Sequence, residues 1–126
     1  MKTLLLVDAD EDSRTVYRLL LQHAGYEVLE AASGPGALAT ALATPPDLII
    51  TETTLPGMDG LRLLETVGQE PTLGNTRLCV LTATVSERIE ERCRALPVCR
   101  VLFKPIQPSA LLVEVGHMLS GAPSGG

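Results

Sequence analysis

The sequence predicts an α/β fold, a doubly wound five-stranded parallel sheet in the order 2-1-3-4-5. Three observations lead there. Short continuous apolar runs, too brief for helices, alternate five times with helix-like stretches. The 126 residues suit one domain of ordinary size. Glycines and prolines punctuate the joins, and right-handed crossovers leave few ways to wind five βα units.

The elements follow in order. Thr3-Leu-Leu-Leu-Val7 reads as a strand buried on both faces. Asp10 to Ala24 reads as an amphipathic helix with Val16, Leu19, Leu20 and Ala24 as its stripe, ended by Gly25. Tyr26 to Ala31 is the second strand, and Gly36 to Ala43 an alanine-rich helix stopped by Pro45-Pro46. Asp47 to Glu52 is the third strand, Leu55-Pro-Gly-Met-Asp-Gly60 a turn, and Leu61 to Val67 a short helix. Arg77 to Thr82 is the fourth strand. Ser86 is placed to cap a helix whose apolar side carries Ile89, Cys93 and Leu96. Val98 to Phe103 is the fifth strand, Lys104-Pro105 a break, and Ser109 to Leu119 the last helix. The domain is expected over residues 1–120, with 121–126 a flexible tail or a linker to an effector domain after Gly126.

Composition narrows the function. Apolar residues at 45% with charged residues at 20% exclude a disordered chain. The three aromatics, Tyr17, Tyr26 and Phe103, make the core aliphatic and leave no base-stacking platform. The net charge of −5 opposes a phosphate backbone, so direct nucleic-acid binding is not expected. Cys79, Cys93 and Cys99 lack metal-ligand spacing and are expected to be free thiols in or near the core. Neither a signal peptide nor a membrane-spanning run is visible, so the cytoplasm is the expected compartment.

In a doubly wound sheet the ligand crevice lies beyond the strand carboxyl ends. The polar residues that stop the strands there are Asp8, Asp10, Glu52, Thr82 and Lys104. Carboxylates suit a divalent cation, and a hydroxyl with an ammonium suits phosphoryl oxygens. Each alone has a plainer role, such as Asp10 capping the first helix. His23 and His117 fall on helices away from the crevice, and Glu87 to Arg92 reads as a solvated helix face.

Five pieces, in this order and spacing, resemble the receiver domain of two-component response regulators over residues 3–119. They are Leu4-Leu-Leu-Val-Asp8, Pro46-Asp-Leu-Ile-Ile50, Leu55-Pro-Gly-Met-Asp-Gly60, Leu81-Thr-Ala83 and Lys104-Pro105. The resemblance implies a flavodoxin-like fold, a bacterial phosphorelay context and a cis Lys104–Pro105 bond. It also implies a docking face for a protein partner made by the fourth helix, fifth strand and fifth helix. In that family an aspartate ending the third strand accepts phosphate, and two acids after the first strand hold Mg²⁺. A Thr or Ser after the fourth strand and a Lys after the fifth meet the phosphoryl group.

This sequence keeps Thr82 and Lys104 but departs elsewhere. The phosphoacceptor position is Glu52, the second acid is Ala9, and the usual aromatic of the fifth strand is Val101. Glu extends the carboxylate by one C–C bond, about 1.5 Å, a misplacement that costs in-line attack about a hundredfold. Ala9 offers Mg²⁺ no oxygen, so no tight metal site is expected, with Asp8 the weak remaining ligand. Val101 is stiff at χ1 and is no rotamer switch. The expectation is a non-catalytic pseudo-receiver that docks a protein without being phosphorylated. Glu52 then either imitates a phosphoryl group or marks an inactive site. Two alternatives stay open, a receiver still phosphorylated in a phosphorelay and a haloacid-dehalogenase-type phosphatase. In the latter Asp8 would be nucleophile and Asp10 general acid, since Val7-Asp-Ala-Asp10 resembles that family's opening motif.

Overall fold

The computed structural model describes residues 1–120, and the expected tail at 121–126 lies outside them. Strands β1 (Thr3–Val7), β2 (Glu27–Ala31), β3 (Leu48–Thr51), β4 (Arg77–Thr82) and β5 (Cys99–Phe103) alternate with five helices. These are α1 (Glu11–His23), α2 (Gly34–Ala43), α3 (Gly60–Gly68), α4 (Glu87–Arg94) and α5 (Pro108–Leu119). All pairings are parallel and the order is β2-β1-β3-β4-β5, as the sequence predicts. The central strands β1 and β3 are the continuous apolar runs, because helices cover both of their faces.

One face buries Leu5, Val7, Ile49 and Val80 under Ala37 and Ala41 of α2, Leu61, Leu64 and Val67 of α3, and Ile89 of α4. The other buries Leu4, Leu6, Ile50 and Leu81 under Leu21 of α1 and Leu111, Val115 and Met118 of α5. Three helices thus cover one side and two the other. Gly25 takes φ +102 directly after the C-cap Ala24, which ends α1 as expected.

Two expectations are corrected. The buried side of α1 is Tyr17, Leu20 and Leu21, whereas Val16 and Leu19 are 62% and 54% exposed and Ala24 is exposed too. Tyr17, Leu20 and Leu21 satisfy the i, i+3, i+4 rule equally well, and Tyr17 and Leu20 pack in the core cluster that holds Leu21. Second, Cys93 and Cys99 are joined in a disulfide, leaving Cys79 as the free, buried thiol. The six-residue separation matches no motif; the pair meets because β5 runs back beside the end of α4. Ser86 occupies the N-cap of α4, but its side chain makes no capping hydrogen bond.

Candidate functional site

Strand register assembles the crevice. Val7 lies opposite Thr51, so Asp8 and Glu52, one residue beyond each, leave the sheet side by side. Thr82 lies opposite Phe103, so Lys104 follows at the same edge. Two backbone bonds fix the register past the strand ends, from Glu52 N–H to the Val7 carbonyl at 3.0 Å and from Lys104 N–H to the Thr82 carbonyl at 2.8 Å. Gly60 is needed for the same reason. A Cβ there would collide with the Glu52 carbonyl, so the turn after β3 closes only over a glycine. The Lys104–Pro105 bond is cis, as the resemblance implies.

Lys104 is the centre of the polar cluster. Its ammonium donates to Asp8 Oδ2 at 3.0 Å, to Ser13 Oγ at 3.2 Å and to Glu52 Oε1 at 3.5 Å, and lies 5.6 Å from the Tyr17 ring centroid. Burial works to lower its pKa, but the hydrogen bond and charge of Asp8, with smaller help from Glu52 and Tyr17, outweigh it and raise the value. Asp8 is buried, and its second oxygen, Oδ1, accepts the Asp10 N–H at 2.9 Å. Arg14 braces the same turn by donating to the Asp8 carbonyl at 2.7 Å and to Glu30.

Glu52 is turned back onto its own loop. Oε2 accepts the Thr53 N–H at 2.7 Å and lies 3.3 Å from Thr53 Oγ1. Thr53 Oγ1 in turn stands 3.2 Å from Thr82 Oγ1, which accepts the Thr84 N–H at 3.1 Å. With its one hydroxyl proton given to Glu52, Thr53 accepts from Thr82. A hydroxyl chain therefore links Glu52 to the loop after β4.

Four of the five sequence-nominated polar residues meet here, namely Asp8, Glu52, Thr82 and Lys104. Asp10 does not. It is the N-cap of α1, its side chain accepting the Asp12 N–H at 3.2 Å, which is the plainer of its two expected roles. Ala9 is exposed and brings no oxygen, and Val101 packs half-buried against the core. His23 and His117 are exposed at helix ends. Ser13, Arg14, Tyr17 and Thr53 complete the cluster without having been nominated. Thr53 alone carried a sequence signal, a hydroxyl directly after the phosphoacceptor position.

Mg²⁺, which the resemblance implies, would draw its protein oxygens from this cluster. The ion takes near-octahedral oxygen coordination. Here both carboxylates are engaged by the Lys104 ammonium and by backbone amides of their own turns. Among the described residues no group of three or more His, Cys, Asp or Glu side chains is placed to hold a metal.

Comparison with known proteins gives one answer. The response regulator receiver domain model matches residues 4–116. The chain is 34% identical over 123 residues to the virulence sensor protein BvgS of Bordetella pertussis, covering 94% of this chain but 10% of that protein. It is 27% identical over 121 residues to the polar-differentiation response regulator DivK of Brucella ovis, covering 96% and 98%. Among solved structures, the chemotaxis protein CheY4 of Vibrio cholerae superposes with a TM-score of 0.88 at 32% identity, covering 94% of this chain and 99% of that one. The crevice at the carboxyl edge, its lysine on a cis proline turn and these matches agree: the chain belongs to the response regulator receiver domain family of two-component signal transduction.

Proposed function

We propose that this receiver domain signals by docking a protein partner without being phosphorylated, as a non-catalytic module of the cytoplasm. The observation that carries the reading is the position of Glu52. Its carboxylate reaches Lys104 with one oxygen and, through Thr53, the Thr82 hydroxyl with the other. A fixed negative charge thus contacts Lys104 directly and Thr82 through the Thr53 hydroxyl, the two groups that meet a phosphoryl group elsewhere in the family. Of the two roles open to Glu52, imitation is the one this geometry favours. Mg²⁺ is not a tight ligand on this reading, because Ala9 contributes no oxygen and Asp8 is paired with Lys104.

The docking face would be α4, β5 and α5, where Val113 of α5 stands exposed and Arg100 of β5 pairs with Glu114 of α5. Neither nucleic acid nor membrane is a partner on this reading; no helix among the described residues is long and apolar enough to cross a bilayer. The receiver-family match leaves the phosphatase alternative without support, and Asp10 is occupied as a helix cap.

Amide NMR spectra of the chain test the reading. Millimolar Mg²⁺ with beryllofluoride is expected to leave Thr82 to Ser86 and Lys104 unmoved, while Glu52→Gln shifts them. Movement of those amides on adding beryllofluoride and Mg²⁺ overturns it.

A further inference from the structure

α4 is lightly held. It has eight residues, its N-cap side chain makes no hydrogen bond, and its buried side chains are Ile89 and Cys93. Arg92 ties it to α3 by donating to Glu65 at 2.7 and 3.1 Å. Past its end the chain turns through Val98 at φ +53, a backbone that β-branched residues rarely adopt. Cys93 and Cys99 close this turn with Cα atoms 5.5 Å apart, inside the range a disulfide spans. Their exposures differ. Cys93 is 2% exposed, whereas Cys99 is half-buried at the start of an edge strand. Cys79, fully enclosed in the core with its thiol pushed up to about 12 by burial, is no competitor for either.

We propose that Cys93 and Cys99 form a reversible dithiol–disulfide site, exchanging with small-molecule disulfides such as oxidised glutathione, whose oxidised form clamps the end of α4 to β5. The Cys99 thiolate attacks one sulfur of glutathione disulfide, forming a mixed disulfide and releasing one glutathione thiolate. The Cys93 thiolate then attacks the Cys99 sulfur, closing the protein disulfide and releasing the second glutathione. The two protein thiols lose two electrons and two protons; glutathione disulfide gains them as two molecules of glutathione. Reduction retraces these steps, with attack on the sulfur of Cys99, the less buried residue of the two, although it too packs against the core. In a reducing compartment such a pair cycles rather than staying closed. Once it opens, Ile89, the buried Cys93 side chain and the Arg92–Glu65 pair are left to hold α4, and Val98 is released from a closed loop.

The test equilibrates the whole chain in glutathione buffers from fully reduced to fully oxidised. Exchange is stopped with acid, thiols are alkylated with N-ethylmaleimide in denaturant and counted by intact mass, and amide exchange of residues 87–96 is followed in both end states. Two alkylatable thiols are expected to vanish together in one two-electron transition, leaving Cys79. Cys93→Ser should trap glutathione on Cys99, and Cys99→Ser should trap far less on the buried Cys93. Reduction should speed α4 amide exchange at least about tenfold, as release of a locally opening unit does. The proposal is overturned if both thiols stay alkylatable across the whole range. It is equally overturned if the bond closes and α4 exchanges at the same rate in both states.

Discussion

Replacing Lys104 with Met removes the ammonium while keeping most of the stem and the backbone bond to Thr82. At an effective dielectric of about 20, contacts at 3.0 Å to Asp8 and 3.5 Å to Glu52 are each worth about 5 kcal/mol gross. Desolvation of the lysine cancels much of that, and breaking a buried pair from one side costs about 3–5 kcal/mol net. The Lys104 and Glu52 side chains are 18% and 19% exposed, and Asp8 keeps the Asp10 amide, so water and the loop absorb part of the loss. Lys104→Met is therefore expected to cost about 2–3 kcal/mol, read as a fall of about 1–2 M in the urea midpoint at pH 7. The folded-state lysine pKa is raised, so the wild-type contribution is complete below the unfolded value of about 10.4 and is lost as pH rises through the folded one. A Met variant as stable as wild type at pH 7 would refute Lys104 as the charge that holds the cluster together.

Three further outcomes are expected. Glu65→Gln should cost about 0.5–1 kcal/mol at pH 7, since the pair with Arg92 is partly exposed. The Arg92 hydrogen bond holds the Glu65 carboxyl below its usual value against the opposing effect of burial. Its contribution is therefore present above the unfolded pKa and lost as pH falls through the folded one. Urea midpoints at pH 7 and pH 3 check this, and an equal deficit at both would contradict it. Gly60→Ala should cost about 3 kcal/mol, the top of the overpacking range, because the new methyl meets the Glu52 backbone carbonyl. A thermal midpoint unchanged from wild type would mean the turn yields freely. Val98→Asn should raise stability by up to about 1 kcal/mol, because Asn tolerates the left-handed backbone and position 98 is partly exposed; a lower urea midpoint would count against strain at Val98.

The sheet was legible because β1, β3 and β4 each carry an unbroken apolar run, polar only at their ends, and a run such as Leu4-Leu-Leu-Val7 is too short for a helix. α1 was less so. With Val16, Tyr17, Leu19, Leu20 and Leu21 all apolar, more than one stripe satisfies helical spacing, and only packing against β1 decides between them. The disulfide was illegible for a related reason: Cys93 and Cys99 become neighbours through the return of β5, a tertiary fact that a spacing of six does not announce. Strand ends located Asp8, Glu52, Thr82 and Lys104. Ser13 and Arg14 escaped because they enter from the first turn of α1, whose orientation over the sheet edge local pattern does not fix.

The central claim, signalling without phosphorylation, is tested most directly by incubating the chain with acetyl phosphate and Mg²⁺ and weighing it intact, beside Glu52→Asp. Both proteins are expected to keep their unmodified mass, since the Asp variant restores the carboxylate's position but not the oxygen that Ala9 lacks. A hydroxylamine-labile phosphoryl group on residue 52 of either protein would contradict the account.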